Sequence, residues 1–216
     1  MNELLDILAT YQPYGLAALL VTVFATPLAI RAAHRFGVLD LPDQQLKPHA
    51  RPTPYLGGAA ICLGWGTALV ISMARGTVDW HLLLPILLGG VALAVLGLVD
   101  DVRHVAPKVR LAIGGVIIAT VMLTTGAGLD LVGSIARPLG IQVPLAVAHS
   151  VSFVFGLLIV LGAVNSTNLI DGLDGLCTGV TAIISLGFFL LAMHLAAWGF
   201  SQTGDPVRLV LAIAML

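Results

Sequence analysis

Asn165-Ser-Thr-Asn168-Leu-Ile-Asp171-Gly172-Leu-Asp174-Gly175-Leu176 is the stretch on which the reading of this chain turns. It lies directly after one long apolar run and directly before another, and it sets two asparagines and two aspartates at intervals of three. On a helix, three residues turn the side-chain direction by about 300°, so the four groups form one slowly drifting stripe of oxygen-bearing side chains. Such a stripe suits a hard cation. Gly172 and Gly175 permit close backbone approach, or a break in the helix, at the same place. A simple polar cap between two spans explains one Asn or one Asp; it does not explain four in register.

The apolar runs on either side extend to the whole chain. Hydrophobic residues make up 58% of it and charged residues 10%, and the mean hydropathy is +1.03. A soluble domain of this length neither needs nor tolerates such values. The runs are close to the length a helix needs to cross hydrocarbon, and the period-two alternation of a membrane barrel is missing. The fold class expected is therefore an all-α integral membrane protein, a polytopic helical bundle with about six to seven spans, forming one transmembrane domain over residues 1–216. The spans fall at 14–30, 56–74, 82–99, 109–125, 145–164, 176–197 and from 207 onward. The last run holds only ten residues, about half of a span, so the chain reads as cut off in mid-helix. Cys62 and Cys177 lie far apart in or beside apolar runs and read as packing residues rather than a disulfide or a metal site. Glu3 and Asp6 stand where a secretory signal would carry basic residues.

Basic residues separate the two faces. Arg31, Arg35, Lys47 and Arg51 follow the first span, and Arg103, Lys108 and Arg110 follow the third, whereas the opposite loops hold Arg75, Arg137 and Arg208. The positive-inside rule puts the amino terminus outside and the loops after spans one, three and five in the cytoplasm, for a multi-pass protein of the inner (plasma) membrane. Each polar cluster of interest lies in one of those loops. The first reads Asp40-Leu-Pro-Asp-Gln-Gln-Leu-Lys47-Pro-His49-Ala-Arg51-Pro-Thr-Pro54-Tyr-Leu-Gly57-Gly58, the second Gly97-Leu-Val-Asp100-Asp101-Val-Arg103-His104, and the third is the opening stretch. The outer segment 128–144 is too polar and broken to span; its pieces 129–135 and 139–143, separated by Arg-Pro, suggest a short hairpin.

Asp100 and Asp101 are adjacent carboxylates at the edge of the hydrocarbon. Each charge costs roughly 2.5–3.5 kcal/mol at a helix centre and less at an end, so something must offset them. Arg103 as an ion-pair partner is the bland answer. The sharper one is a divalent cation: magnesium prefers oxygen ligands and commonly joins protein carboxylates to substrate phosphates. Lys47, His49 and Arg51 alternate along a proline-containing extended segment, which puts all three on one side, as a phosphate site requires. Lys108 and Arg110 are expected only to satisfy the positive-inside rule or to touch anionic membrane lipids. No nucleic-acid partner is indicated.

The combination of Lys47-Pro-His49 with Pro54-Tyr-Leu-Gly57-Gly58, of Gly97-Leu-Val-Asp100-Asp101, and of Asn165-x-x-Asn168-x-x-Asp171-Gly-x-Asp174-Gly-Leu176 resembles the polyprenyl-phosphate N-acetylhexosamine-1-phosphate transferases. That superfamily also contains the phospho-N-acetylmuramoyl-pentapeptide transferases. The resemblance runs from about residue 31 to residue 182. It implies a reaction dependent on Mg2+, with Mn2+ as a substitute, in which a polyprenyl phosphate (undecaprenyl phosphate in bacteria) attacks a UDP-N-acetylhexosamine at the cytoplasmic face and UMP leaves. Cell-wall or surface polysaccharide synthesis would begin there. By the same resemblance Asp100 and Asp101 are catalytic, handling the lipid phosphate; Asn168 and Asp171 lie at the metal; Lys47, His49, Arg51, Asn165 and Asp174 bind the nucleotide sugar, Asp174 facing the uracil. A homodimer is also implied.

Two departures qualify the match. His104 stands where family members often carry Asp or Lys, and neither the later Gly-Asp-x-Gly-Ser segment nor the later His-rich loop occurs; Gly204-Asp205-Pro206 does not match. The expectation is that these residues are the amino-terminal part of a longer protein and are inactive alone. Lys-x-His followed by Pro-x-x-Gly-Gly favours the N-acetylglucosamine type over the pentapeptide enzyme. A cation-coupled transporter is the competing class, but it would hold carboxylates at mid-bilayer on broken helices, not at span ends. A CDP-alcohol phosphatidyltransferase would need an Ala-Arg pair after Asp-Gly, and Leu173-Asp174 follows Asp171-Gly172 instead. An inactive membrane fragment is the remaining alternative.

Overall fold

A computed structural model describes residues 2–40, 52–170, 175–198 and 205–216. Six helices among them are long and apolar enough to cross a membrane: α1 (Asn2–Phe36), α2 (Gly57–Ala74), α3 (Trp80–Arg103), α4 (Pro107–Thr125), α6 (Leu145–Ile170) and α7 (Leu176–Ala197). With the shorter α5 (Leu131–Ala136) and α8 (Asp205–Ala214) they form an all-α polytopic bundle. Many large apolar side chains lie on its outer surface, among them Phe24, Leu169 and Ile183. In water that surface would be an aggregation liability, whereas against lipid tails it is the required solvent-facing composition.

What holds the helices together is close approach rather than bulk. Consecutive spans pack as antiparallel neighbours, α1 on α2, α2 on α3 and α3 on α4, while α6 packs on α4. A Cβ at Gly64 on α2 would stand 2.5 Å from the carbonyl oxygen of Ala18 on α1, and one at Gly90 on α3 would stand 2.5 Å from Cη2 of Trp65 on α2. Only glycine fits at such crossings, which is how membrane helices gain dispersion contacts without a hydrophobic drive between them. The best-packed cluster joins α1, α2, α3, α7 and α8 through Tyr14, Ala68, Leu69, Leu83, Phe189 and Val210. It lies toward the end of the bundle that holds Thr77 and Asp205, where the Tyr14 and Thr77 hydroxyls are bonded and Arg208 pairs with the buried Asp205 at 2.9 Å.

Two sequence expectations change. The segment after α4 is not a hairpin: it forms α5 and a 3-10 turn, Arg137–Leu139. Gly126 and Gly128, both at positive φ, turn the chain back beside α6, where Ser152 Oγ accepts from the Val132 N–H at 2.9 Å. Arg137 then pairs with Asp130 and donates to the Gly133 carbonyl. With its polar groups satisfied locally and by α6, the segment needs no strand partner. The run expected from residue 207 begins two residues earlier, with Pro206 in the first helical turn where its missing N–H costs nothing. Cys62 and Cys177 are both free thiols, as the sequence implied.

Candidate active site at one end of the bundle

Helix direction fixes where the motifs meet. α1, α3 and α6 run toward one end of the bundle and α2, α4 and α7 run away from it, so the ends of α3 and α6 and the start of α4 share a face. The α3–α4 connection is only three residues, 104–106. His104 makes it possible, adopting a left-handed backbone at φ 51° as its N–H donates to the Asp100 carbonyl at 2.8 Å. Pro107 then starts α4. Asp100 Oδ1 accepts from the Val105 N–H at 3.0 Å, so this carboxylate closes the turn that follows it.

The turn brings Arg110, on the first full turn of α4, back against the last turn of α3. Its Nη1 donates to Asp100 Oδ2 at 2.6 Å and to Asn168 Oδ1 at 3.3 Å, and its Nη2 donates to Asn165 Oδ1 at 3.0 Å. One guanidinium thus ties α3, α4 and α6. Asn165 is itself held by its amide, which donates to the Leu161 carbonyl at 2.8 Å. A planar fork with five donors is the group that can address three oxygens at once; an ammonium on a flexible stem is not. The Asp100 side chain is 16% exposed and that of Arg110 is 30% exposed, so the pair is half withdrawn from water and screened less than a surface ion pair.

Beside this knot lies a cavity of about 550 Å³ bordered by Asp40, Tyr55, Asp100, Asp101, His104 and Arg110. The loop after α1 reaches it through a short antiparallel ladder, β1 (Leu39–Asp40) against β2 (Thr53–Pro54), in which Asp40 faces Thr53. The Tyr55 hydroxyl donates to Asp40 Oδ1 at 2.9 Å. Adjacent on a helix, Asp100 and Asp101 point about 100° apart: Asp100 also borders a small space of about 80 Å³ shared with Asn165 and Asn168, while Asp101 borders an apolar groove between α2 and α3.

Of the residues singled out in the sequence, Asp100, Asn165 and Asn168 are brought together on one cation and Asp101 lines the adjoining cavity. Lys47, His49, Arg51, Asp171 and Asp174 lie outside the described residues. The expectation for Arg110 is overturned: it is the hub of the cluster, not a lipid-facing charge. Its partners are set by the reversal at His104, whose left-handed backbone no local pattern announces. Tyr55 and Asp40 were also missed, and only the ladder that flanks residues 41–51 reveals them. Among the described residues no three His, Cys, Asp or Glu side chains converge. The oxygens that do converge, from Asp100, Asn165 and Asn168, accept from Arg110, and carboxylate and amide oxygens are also the hard donor type that magnesium prefers.

A carboxylate, two amides and an arginine thus gather at one end of a polytopic helical membrane bundle. Residues 83–216 match the model of glycosyl transferase family 4, and the chain belongs to that family. It is similar to decaprenyl-phosphate N-acetylglucosaminephosphotransferase of Mycolicibacterium smegmatis, at 27% identity over 186 residues covering 84% of this chain and 45% of the relative. It is similar also to phospho-N-acetylmuramoyl-pentapeptide-transferase of Kineococcus radiotolerans, at 33% identity covering 82% of this chain and 56% of the relative. The probable undecaprenyl-phosphate N-acetylglucosaminyl 1-phosphate transferase of Bacillus subtilis is 28% identical, over 78% of this chain and 44% of the relative. The chain spans about half the length of these curated relatives.

Proposed function

We propose that the protein carrying this chain transfers N-acetylhexosamine 1-phosphate from a UDP-sugar to a polyprenyl phosphate at the cytoplasmic face of the plasma membrane. A phosphate oxygen of the lipid bonds to the β-phosphorus, the bond from that phosphorus to the bridging oxygen breaks, and the oxygen leaves with UMP. A lipid-diphospho-sugar remains. The observation that carries this reading is the gathering of Asp100, Asn165 and Asn168 on Arg110 beside the cavity at Asp101. The names of the relatives, which join polyprenyl phosphates to N-acetylglucosamine phosphate transfer, support it.

The nucleophile is already ionised near neutral pH, so the protein's task is alignment and charge neutralisation. Asp101 faces the cavity where the lipid phosphate would sit. Asp100 holds Arg110, and Arg110 places a fixed positive charge beside the diphosphate, where preorganised donors act most strongly. Asn168 and Asp171 are assigned to a Mg2+ ion, which when bound would neutralise charge on the diphosphate oxygens. Lys47, His49 and Arg51, with Asn165 and Asp174, are assigned to the nucleotide sugar. Presenting the full-length protein with undecaprenyl phosphate and, separately, UDP-N-acetylglucosamine or UDP-N-acetylmuramoyl-pentapeptide tests the donor. UMP release is expected with the first and to be abolished by EDTA; turnover of the pentapeptide donor alone would move the protein to the other branch.

A further inference from the structure

Asn165 and Asn168 stand about one helical turn apart on α6, and Arg110 holds them differently. Asn165 has a partner at each end of its amide: Oδ1 accepts from Arg110 Nη2 at 3.0 Å, while Nδ2 donates to the Leu161 carbonyl at 2.8 Å. Chemistry allows this amide one orientation, because the flipped amide would set its NH2 group against the guanidinium and its oxygen against the carbonyl. Asn168 Oδ1 stands farther off, 3.3 Å from Nη1, a nitrogen that Asp100 already holds at 2.6 Å. The guanidinium is therefore pinned at both terminal nitrogens, Nη1 by α3 and Nη2 by α6.

The crossing of α4 on α6 sets this register. One turn along α4 from Arg110, a Cβ at Gly114 would meet Leu161, the residue one turn before Asn165, at an ordinary van der Waals distance of 3.8 Å. Arg110 on Asn165 and Gly114 on Leu161 are successive layers of one antiparallel contact, in which Leu161 offers its side chain to α4 and its carbonyl to Asn165. We propose that Asn165 is a positioning residue for Arg110, acting on the nucleotide sugar through the guanidinium it orients rather than by touching the sugar nucleotide itself. This rests on the transfer reaction proposed above, and it divides the stripe into one amide that aims the cation and another assigned to the metal. Without Asn165 the charge of Arg110 stays beside Asp100, but its plane loses the anchor on α6, and a misplacement of about 1 Å at a reacting centre costs up to about a hundredfold in rate.

The test uses the full-length protein in detergent with Mg2+, undecaprenyl phosphate and UDP-N-acetylglucosamine. Asn165→Ala is expected to lower kcat about tenfold, while KM for the UDP-sugar and the Kd of UMP measured by calorimetry stay within about twofold. In an Arg110→Ala background the same substitution should lower kcat by no more than about a further twofold, because the group it orients is gone. Asn165→Asp, isosteric and keeping an oxygen for Nη2, should lower kcat only about threefold. A KM or UMP Kd raised about tenfold in Asn165→Ala, or an undiminished tenfold loss in the double variant, overturns the positioning role and leaves the transfer reaction standing. If Asn165→Ala does not purify as a folded protein, Asn165→Asp decides alone: the small loss of kcat at unchanged KM supports the role, and a KM raised about tenfold overturns it. Absence of UMP release by the unaltered protein overturns both.

Discussion

Arg110 carries more of the candidate site than its place in the sequence suggests, because three oxygens from two other helices depend on one guanidinium. Replacing it with Ala leaves the half-buried Asp100 carboxylate without its cation and frees both asparagines. In the full-length protein Arg110→Ala is expected to lower kcat by about a hundredfold or more, on the scale of losing one preorganised donor. Arg110→Lys should recover only part of this, since a point charge cannot address all three oxygens; full activity in the Lys variant would contradict the bridging role. Asp100→Asn keeps an acceptor but removes the charge that opposes Arg110. It should abolish transfer while the protein still inserts and purifies normally, which a membrane-fraction blot and size-exclusion profile check.

The same residues show what was legible. Asn165 and Asn168 declared themselves through an interval of three that a helix converts into one face, and α6 does continue through both. Asp100 and Asp101 declared themselves by the cost of charge at a span end. Arg110 did not, because its partners are set by a three-residue reversal closed by the left-handed backbone of His104, and no local pattern announces that a non-glycine residue will take that conformation. His104, whose role the sequence left open, thus acts first through its backbone.

At the scale of elements, apolar length located the spans, since about twenty apolar residues in lipid have only the helix as a way to satisfy their backbone, but not every end: the first, expected at 14–30, is a helix from Asn2 to Phe36. The segment after α4 escaped that logic. It lies outside the long apolar runs, and what decides it is a hydroxyl on another helix, Ser152, which no local pattern identifies as a partner. Packing between elements was legible only as glycine content. Gly64 on α2 meets α1 at the Ala18 carbonyl, a backbone atom that cannot yield as a flexible side chain would. Gly64→Leu is therefore expected to cost at least the 1–3 kcal/mol typical of overpacking, seen as a lower midpoint of thermal unfolding in detergent. Ile61→Leu on the exposed side of the same helix should leave the midpoint unchanged; an unshifted Gly64→Leu would refute the close crossing.

For the whole molecule, the cytoplasmic placement proposed for the end bearing Asp100 rests on the distribution of Lys and Arg. The three arginines of the other end are locally engaged, Arg75 over the Tyr14 ring, Arg137 with Asp130 and Arg208 with Asp205. With Cys62 and Cys177 replaced by Ser, a cysteine introduced at Gly140 should react with a membrane-impermeant maleimide in intact spheroplasts, and one at Lys108 only after lysis. The reverse pattern would invert the topology and remove the site from the side where UDP-sugars are made available in this account. The central claim is that the sugar travels together with a phosphate. It is tested most directly by following UDP-N-acetylglucosamine labelled with ³²P at the β-phosphorus, using the full-length protein, undecaprenyl phosphate and Mg2+. The label is predicted to enter the organic-extractable lipid as unlabelled UMP appears in equal amount, and Asp100→Asn should prevent both. Label retained in water while the sugar enters the lipid, or label transfer undiminished in Asp100→Asn, would contradict the account.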